Sequence, residues 1–377
     1  MTDKNTIEGL DEKDRRIAPC PYFGKCGGCS WQDIKYSAQL RHKESRVKEL
    51  FGGCSPIIPA PDEYHYRNRM DLAFGPDYTL GLKSGKARVI DLDHCLLMSE
   101  TSNALLPRLK KFVSDQEMNS YPTGIIRHVV IRDGRNIKNT VLNVLTSSDG
   151  IFPLEELWEE LKDAVQGITW SINPSPADRS VGDIQKTCGQ DHLVESLGGL
   201  KFNIPVQSFF QTNTLQAERL LKVISDFADL QGGENLLDLF SGTGSIGLSL
   251  AHKAKKVVGI EENQPAAELS LTNAELNGIK NYSVFSARVE NCLDVWRLKF
   301  EVVLVDPPRP GVHKTALKAI GELKPAKVIY VSCNPTTQKH DVEILKGFGY
   351  EIVDCQPLDL FPHTPHIENV IALKRSR

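Results

Sequence analysis

The sequence predicts an α/β chain whose C-terminal half is a doubly wound, mainly parallel sheet, on three observations. After about residue 205, runs rich in Val, Ile and Leu alternate with helical stretches. One of these runs leads directly into a glycine-rich loop, LLDLFSGTGSIGLSLA. The last two, YEIVDCQPL and HIENVIALKR, follow each other with no room for a crossover helix and should therefore pair antiparallel.

The strands expected in this half are ENLLDLF, KKVVGIE, YSVFSA, FEVVLVD, AKVIYVS, YEIVDCQPL and HIENVIALKR. Ahead of them the pattern differs. Residues 1 to about 18 are charged and without hydrophobic period, as in a loose tail. Ile34 to Phe51 reads as one helix stopped by Gly52 and Gly53. The segment 56–92 alternates in short runs punctuated by Gly, Pro and Asp, as hairpins do. Strands at IIRHVVIRD, NTVLNVLTS and ITWSINPSP, with helices at 98–115 and 153–165, complete an antiparallel α+β region. Three segments follow: a tail and cysteine-rich part over 1–55, a central α+β domain over 56–205, and the doubly wound domain over 206–377.

With 377 residues, 40% of them hydrophobic, the chain can build sizeable cores. No apolar run approaches the ~20 residues that cross a bilayer, and the N-terminus is charged where a secretory signal would be apolar, so a cytoplasmic location is expected. A formal charge of -3 argues against an all-over basic coat, although Arg67, Arg69, Lys83, Lys86, Arg88, Arg127, His128, Arg132, Arg135 and Lys138 could supply local basic surface. Nine cysteines in such a compartment call for a metal or a chemistry rather than disulfides.

In the doubly wound half, Gly242, Gly244 and Gly247 let a ligand approach the backbone at the end of a buried strand, and Glu261 ends the next strand, placed to accept ribose hydroxyls. Glu262 reads as a surface acid. VDPPRPG at 305–311 and YVSCNPTT at 330–337 each follow a buried strand on the crevice side. Pro335 stops the second strand, leaving the sulfur of Cys333 at the mouth. Glu368 opens the final strand, which should insert beside the one ending in Cys333, so thiol and carboxylate should face one pocket. CPYFGKCGGC, with Cys20, Cys26 and Cys29, and the distant Cys95 could hold zinc or an iron–sulfur cluster, since four thiolates serve either. Cys54, Cys188, Cys292 and Cys355 are read as packing residues.

The order DLFSGTGSIG, GIEEN, VLVDPPRPG resembles the class I methyltransferase motifs. That resemblance implies a Rossmann-like domain with a seven-stranded sheet, S-adenosylmethionine as cofactor, and contacts to it from Phe240, Ser245 and Glu261. DPPRPG, SCNP and PHTPHIE, with QSFFQTN at 207–213, resemble the RNA uracil-5-methyltransferase family from Cys20 to Glu368. The resemblance implies Cys333 as nucleophile, Glu368 as proton acceptor, Gln211 and Asp306 as binding residues, and a 4Fe-4S cluster on Cys20, Cys26, Cys29 and Cys95. The expected reaction adds a thiolate to carbon 6 of uracil, methylates carbon 5 and removes its proton. Attack from both faces requires a flipped or single-stranded uridine, on which Phe209, Phe210 or Phe361 could stack. Asp306 is expected between cofactor and uracil, with Arg309 steadying the base or a phosphate.

Many members of that family begin with a separate RNA-binding barrel, whereas only a charged tail precedes Cys20 here. The shorter architecture resembles the subgroup acting on 23S ribosomal RNA, which makes rRNA processing the expected role. Uridine 54 of transfer RNA is the alternative, and an iron–sulfur RNA-binding protein without catalysis a more distant one. A cytosine-5 enzyme would carry its nucleophile in a Pro-Cys pair, which SCNP is not. RNA is the expected partner; neither a membrane nor an obligate protein partner is implied.

Overall fold

The computed structural model describes residues 7, 10–85, 88–148, 150, 152–292 and 298–376. Most of the tail's first residues and Lys86 thus lie outside the described residues. Two compact units form: Met1–Lys35, Asp62–Ser196 and Asn203–Thr214 make the first, and Tyr36–Pro61, Leu197–Phe202 and Leu215–Arg377 the second. This division departs from the three consecutive segments expected. The helix Tyr36–Phe51, read as the end of the cysteine segment, belongs to the second unit because Val47 on its buried face is part of that unit's core.

In the first unit, β1 (Arg69–Phe74), β2 (Leu80–Ser84), β3 (Arg88–Asp91), β4 (Ile126–Asp133), β5 (Thr140–Thr146), β6 (Gly167–Ile172) and β7 (Asp183–Gly189) form a sheet of order β3-β2-β1-β4-β5-β6-β7. Every neighbouring pair is antiparallel except β5 and β6. The helix Leu154–Leu161 lies between those two strands in sequence, a crossover that obliges them to run parallel. It buries Leu154, Leu157 and Leu161 in a core shared with Met98, Leu105 and Leu142. Strand β7 had no readable signal: DIQKTCG is exposed along its first four residues, so no buried face imposes a two-residue period. A hairpin of β8 (His192–Leu197) and β9 (Leu200–Pro205) was also missed, although its turn, Gly198-Gly199 at φ +60° and +82°, is what a tight hairpin requires.

The second unit holds β10 (Asn235–Leu239), β11 (Lys256–Glu261), β12 (Tyr282–Ser286), β13 (Val302–Val305), β14 (Lys327–Ser332), β15 (Tyr350–Leu358) and β16 (Glu368–Arg375), in the order β12-β11-β10-β13-β14-β16-β15. The first five run parallel, and β16 enters between β14 and β15, antiparallel to both. The seven-stranded doubly wound sheet is as the sequence predicts. Its central strands β10, β13 and β14 are buried on both faces, which explains their continuous apolar reading. Among the described residues no helix is long and apolar enough to cross a membrane.

Several expected surface cations are internal ties. Arg127 is buried and donates to the carbonyls of Asn173, Ser175 and Ala177 at 2.7, 2.6 and 2.8 Å. Arg132 is buried and donates to the carbonyls of Val206 and Ser208. Buried Glu195 caps the turn between β4 and β5, accepting from the backbone N–H groups of Arg135, Asn136 and Ile137 at 2.6, 3.0 and 3.2 Å and from that of Ser196 at 2.8 Å. An amide there would turn an N–H₂ group toward donors, so Glu195→Gln should lower unfolding stability by about 1–3 kcal/mol, read as a fall in the urea midpoint at unchanged slope.

Candidate active site

The pairing of β14 with β16 fixes the centre of the site. Its register runs to Ser332 paired with Asn369, so Cys333 directly follows the last residue of β14 and Glu368, the first residue of β16, directly precedes that final pair. Gln338 braces the junction: its Nε2 donates to the carbonyls of Tyr330 and Asn369 at 2.9 and 3.1 Å, and its Oε1 accepts from Asn369 Nδ2 at 2.8 Å. Cys333 immediately precedes Asn334, whose side chain caps the helix Pro335–Lys346 by accepting from the Thr336 N–H at 3.3 Å. The positive end of that helix favours a thiolate.

The loop after β13 closes on the same place. Asp341, on that helix, accepts from the Val312 N–H at 2.8 Å and from the Tyr330 hydroxyl at 2.6 Å. A side chain at Gly311, where φ is +90°, would meet Asp341 Oδ2 at 2.7 Å. Arg309 is tied by its carbonyl, which accepts from Asn334 Nδ2 and Thr337 Oγ1, each at 3.2 Å. Its guanidinium donates to His366 Nδ1 at 2.8 Å. The sequence did not single out Gln338, Asp341 or His366 for these roles. Gln338 and Asp341 stand three apart on one face of the helix after SCNP, and that polar spacing was the available signal.

The charges around these residues act on one another. Burial pushes the Cys333 thiol up to about 11; the charge of Glu368 adds to this, that of Arg309 opposes it, and that of Asp306 raises it again. Glu368 lies well above the carboxylate range, chiefly through burial, with Asp306 raising it further and Arg309 lowering it. Burial lifts Asp306 to about 7. Thiol, two carboxyls and a guanidinium therefore share one electrostatic neighbourhood.

Beside it, the glycine-rich turn leaves β10. Phe240, Gly242 and Gly244 hold left-handed backbone at φ +63°, +54° and +83°, and Ser245 opens the helix Ser245–Leu250. Gly247 donates its N–H to buried Asp238 at 3.1 Å, and a Cβ there would stand 2.5 Å from that carboxylate, so only glycine fits. Burial raises Asp238 to about 8, with Asp306 and Glu261 adding repulsion. Glu261 accepts from the Gly242 N–H through Oε2 and the Asn263 N–H through Oε1, both at 2.8 Å. A carboxylate has about four acceptor directions, so capacity for two ribose hydroxyls remains. The donor set thus fits a nucleoside, and the buried acids around Asp306 favour a cationic one. Glu262 is the surface acid expected, exposed and paired with Arg288 at 3.3 Å.

The remaining candidates, Phe361 apart, lie in the first unit. Gln211 is placed by its carbonyl, which accepts from Asn68 Nδ2 at 2.8 Å. Arg132 and Arg69 both donate to the carbonyl of Ser208, just ahead of it. Phe209 is 71% exposed, whereas Phe210 is buried and so is not free to stack on a base; Phe361, in the second unit, is half-buried. Asn103 clamps the Cys95 backbone on both sides, accepting from its N–H at 2.7 Å and donating to its carbonyl at 3.0 Å. The Tyr22 hydroxyl ties the CPYFGKCGGC loop to the Cys95 segment, donating to Asp93 Oδ2 and accepting from the Asp93 N–H, both at 2.9 Å. Burial raises the thiols of Cys20, Cys29 and Cys95, Cys29 to about 12, and each is raised further by charge on its cysteine neighbours. Those influences link every pair among Cys20, Cys26, Cys29 and Cys95. Among the described residues, no group of three or more His, Cys, Asp or Glu side chains is gathered as a single metal ion would need.

Residues 185–376 match the family profile described as tRNA (Uracil-5-)-methyltransferase. Across 95% of its length the chain is 36% identical to the tRNA (uracil(54)-C(5))-methyltransferase of Pyrococcus furiosus, covering 85% of that protein. It is 37% identical, again over 95% of its length, to an uncharacterized RNA methyltransferase of Nanoarchaeum equitans, covering 80% of it. Its fold is similar to the crystal structure of the Pyrococcus abyssi tRNA (uracil-54, C5)-methyltransferase in complex with S-adenosyl-L-homocysteine, with a TM-score of 0.83 at 32% identity, covering 92% of this chain and 86% of that one.

The opposing influences on Cys333 give two signed expectations. Removing the negative charge in Glu368→Gln should move the pH midpoint of Cys333 alkylation down from about 11, and removing the positive charge in Arg309→Ala should move it up. Peptide mass spectrometry after iodoacetamide labelling at graded pH reads both, and shifts of the same sign would break the assignment.

Proposed function

Given that the chain belongs to the tRNA (uracil-5-)-methyltransferase family and is an S-adenosylmethionine-dependent RNA uracil-C5 methyltransferase, we propose that Cys333 and Glu368 carry its chemistry on uridine 54 of transfer RNA. The β14–β16 register, which ends at Ser332 with Asn369 and so leaves Cys333 and Glu368 at adjoining strand ends, is the observation that supports this pairing most directly. The Cys333 thiolate forms a bond to carbon 6, and the ring's π electrons move onto the carbonyl to give an enolate. S-adenosylmethionine, when bound, would supply the methyl group that carbon 5 takes up, its methyl–sulfonium bond breaking to leave S-adenosylhomocysteine. Glu368 then takes the proton from carbon 5; the freed electron pair restores the ring double bond and expels Cys333 as thiolate. Its raised pKa makes ionised Glu368 a stronger base toward that proton than an exposed carboxylate. Glu261, Phe240, Ser245, Gln211 and Asp306 are the residues assigned to cofactor and substrate binding, with Arg309 on the base or its phosphate.

The choice of transfer RNA departs from the ribosomal substrate expected from the shortness of the region ahead of Cys20. Two relatives described as tRNA (uracil(54)-C(5))-methyltransferases, from Pyrococcus furiosus and Pyrococcus abyssi, align over 95% of this chain, which supports tRNA over a choice made on length. Mass-spectrometric mapping of 5-methyluridine after incubation of purified protein with tRNA and with 23S rRNA tests this. Methylation at position 54 of tRNA is expected; modification confined to the rRNA would overturn the assignment. Cys333→Ala should abolish product, and Glu368→Gln should cut turnover ~10²–10⁴-fold while trapping an SDS-stable protein–RNA adduct.

Cys20, Cys26, Cys29 and Cys95 are proposed to hold a 4Fe-4S cluster. The Tyr22–Asp93 tie between the CPYFGKCGGC loop and the Cys95 segment supports bringing these cysteines together, and a cluster spreads its ligands over several irons, so they need not close on one ion. The cluster would brace the first unit, since methyl transfer itself moves no electron. Anaerobically purified protein should carry about four irons per chain; zinc in place of iron would refute this.

A further inference from the structure

The segment joining β15 to β16 determines where Glu368 stands, and its anchoring is unusual. It runs from Asp359 through His363, whose backbone is left-handed at φ +65°, to His366, the partner of Arg309. Three residues of the helix Tyr36–Phe51 meet it: Tyr36, Gln39 and Lys43, spaced three and four apart along one stripe. Lys43 Nζ donates to Asp359 Oδ1 at 2.7 Å and to the Phe361 carbonyl at 3.1 Å. Both side chains of that ion pair are fully buried. Gln39 engages His363 twice, accepting from its backbone N–H at 2.9 Å and donating to ring Nδ1 at 3.1 Å. The Tyr36 ring stands 6.3 Å from the His363 ring. Two further bonds extend the hold toward Glu368: Thr364 Oγ1 donates to the Phe361 carbonyl at 2.8 Å and accepts from the His366 N–H at 3.3 Å.

An ion pair removed from water this completely adds little net stability compared with well-packed apolar residues of the same volume, because desolvation offsets the attraction. A left-handed non-glycine residue adds strain. What this arrangement does supply is one defined path for the loop. We propose that Lys43 and Gln39 are positioning residues of the reaction. Through Asp359 and His363 they set the Glu368 carboxylate at carbon 5 and orient His366 beneath Arg309. The inference rests on Glu368 being the base.

If so, loosening the stripe should slow the step that needs Glu368 more than the steps before it. The test compares wild type, Glu368→Gln, Gln39→Leu and the double variant Lys43→Met/Asp359→Leu, which leaves no buried charge unpaired. Each is assayed for tRNA binding, turnover and the share of enzyme trapped as protein–RNA adduct, with thermal melting as the check on folding. In Gln39→Leu and the double variant, kcat should fall about 10²-fold, the loss that a small misplacement of a reacting group causes, while KM for tRNA stays near wild type and the adduct share rises. Unchanged kcat, or kcat and adduct falling together, would overturn the inference. So would loss of the fold in both variants, which would make the stripe a stability device. Absence of adduct in Glu368→Gln would instead remove the base assignment on which the inference stands.

Discussion

One strand pairing governs the site. Strand β16 is inserted antiparallel against β14, and the register between them decides which residues can act together. A one-residue slip would turn Glu368 to the other side of the sheet, away from Cys333. The fold guards against this from both ends. At the strand, Gln338 and Asn369 form a closed polar unit under the junction. At the entry, the buried Lys43–Asp359 pair and the Gln39–His363 bonds fix the incoming chain.

The same economy appears around the glycine-rich turn. Asp238 is buried, receives the N–H of Gly247 and lies near Asp306 and Glu261, so three acids share a small volume. Burial, with repulsion from Asp306 and Glu261 added to it, raises the pKa of Asp238, so the unliganded fold holds negative potential at this turn.

The C-terminal half was legible because its central strands are buried on both faces, and a continuous run such as VVLV has no competing reading once helices separate it from its neighbours. The antiparallel return of β16 followed from chain length alone. The adjoining positions of Cys333 and Glu368 were legible because one directly follows β14 and the other opens β16, strands whose order could be read. What escaped was set by packing without a local pattern. Strand β7 exposes most of its side chains, and the parallel step from β5 to β6 depends on a helix whose length was read as 153–165 but which ends at Leu161. Lys43 and Gln39 look in sequence like ordinary polar helix residues; only the fold shows that they are buried. Arg127 and Arg132, read among surface cations, are internal for the same reason: an arginine's role is set by the carbonyls it finds.

The raised thiol at Cys333 has a consequence for an enzyme that spends time without RNA. With a pKa of about 11, roughly one molecule in ten thousand carries the thiolate at neutral pH, and peroxides and stray electrophiles react with thiolates rather than thiols. Burial thus keeps the Cys333 sulfur mainly in the less reactive thiol form.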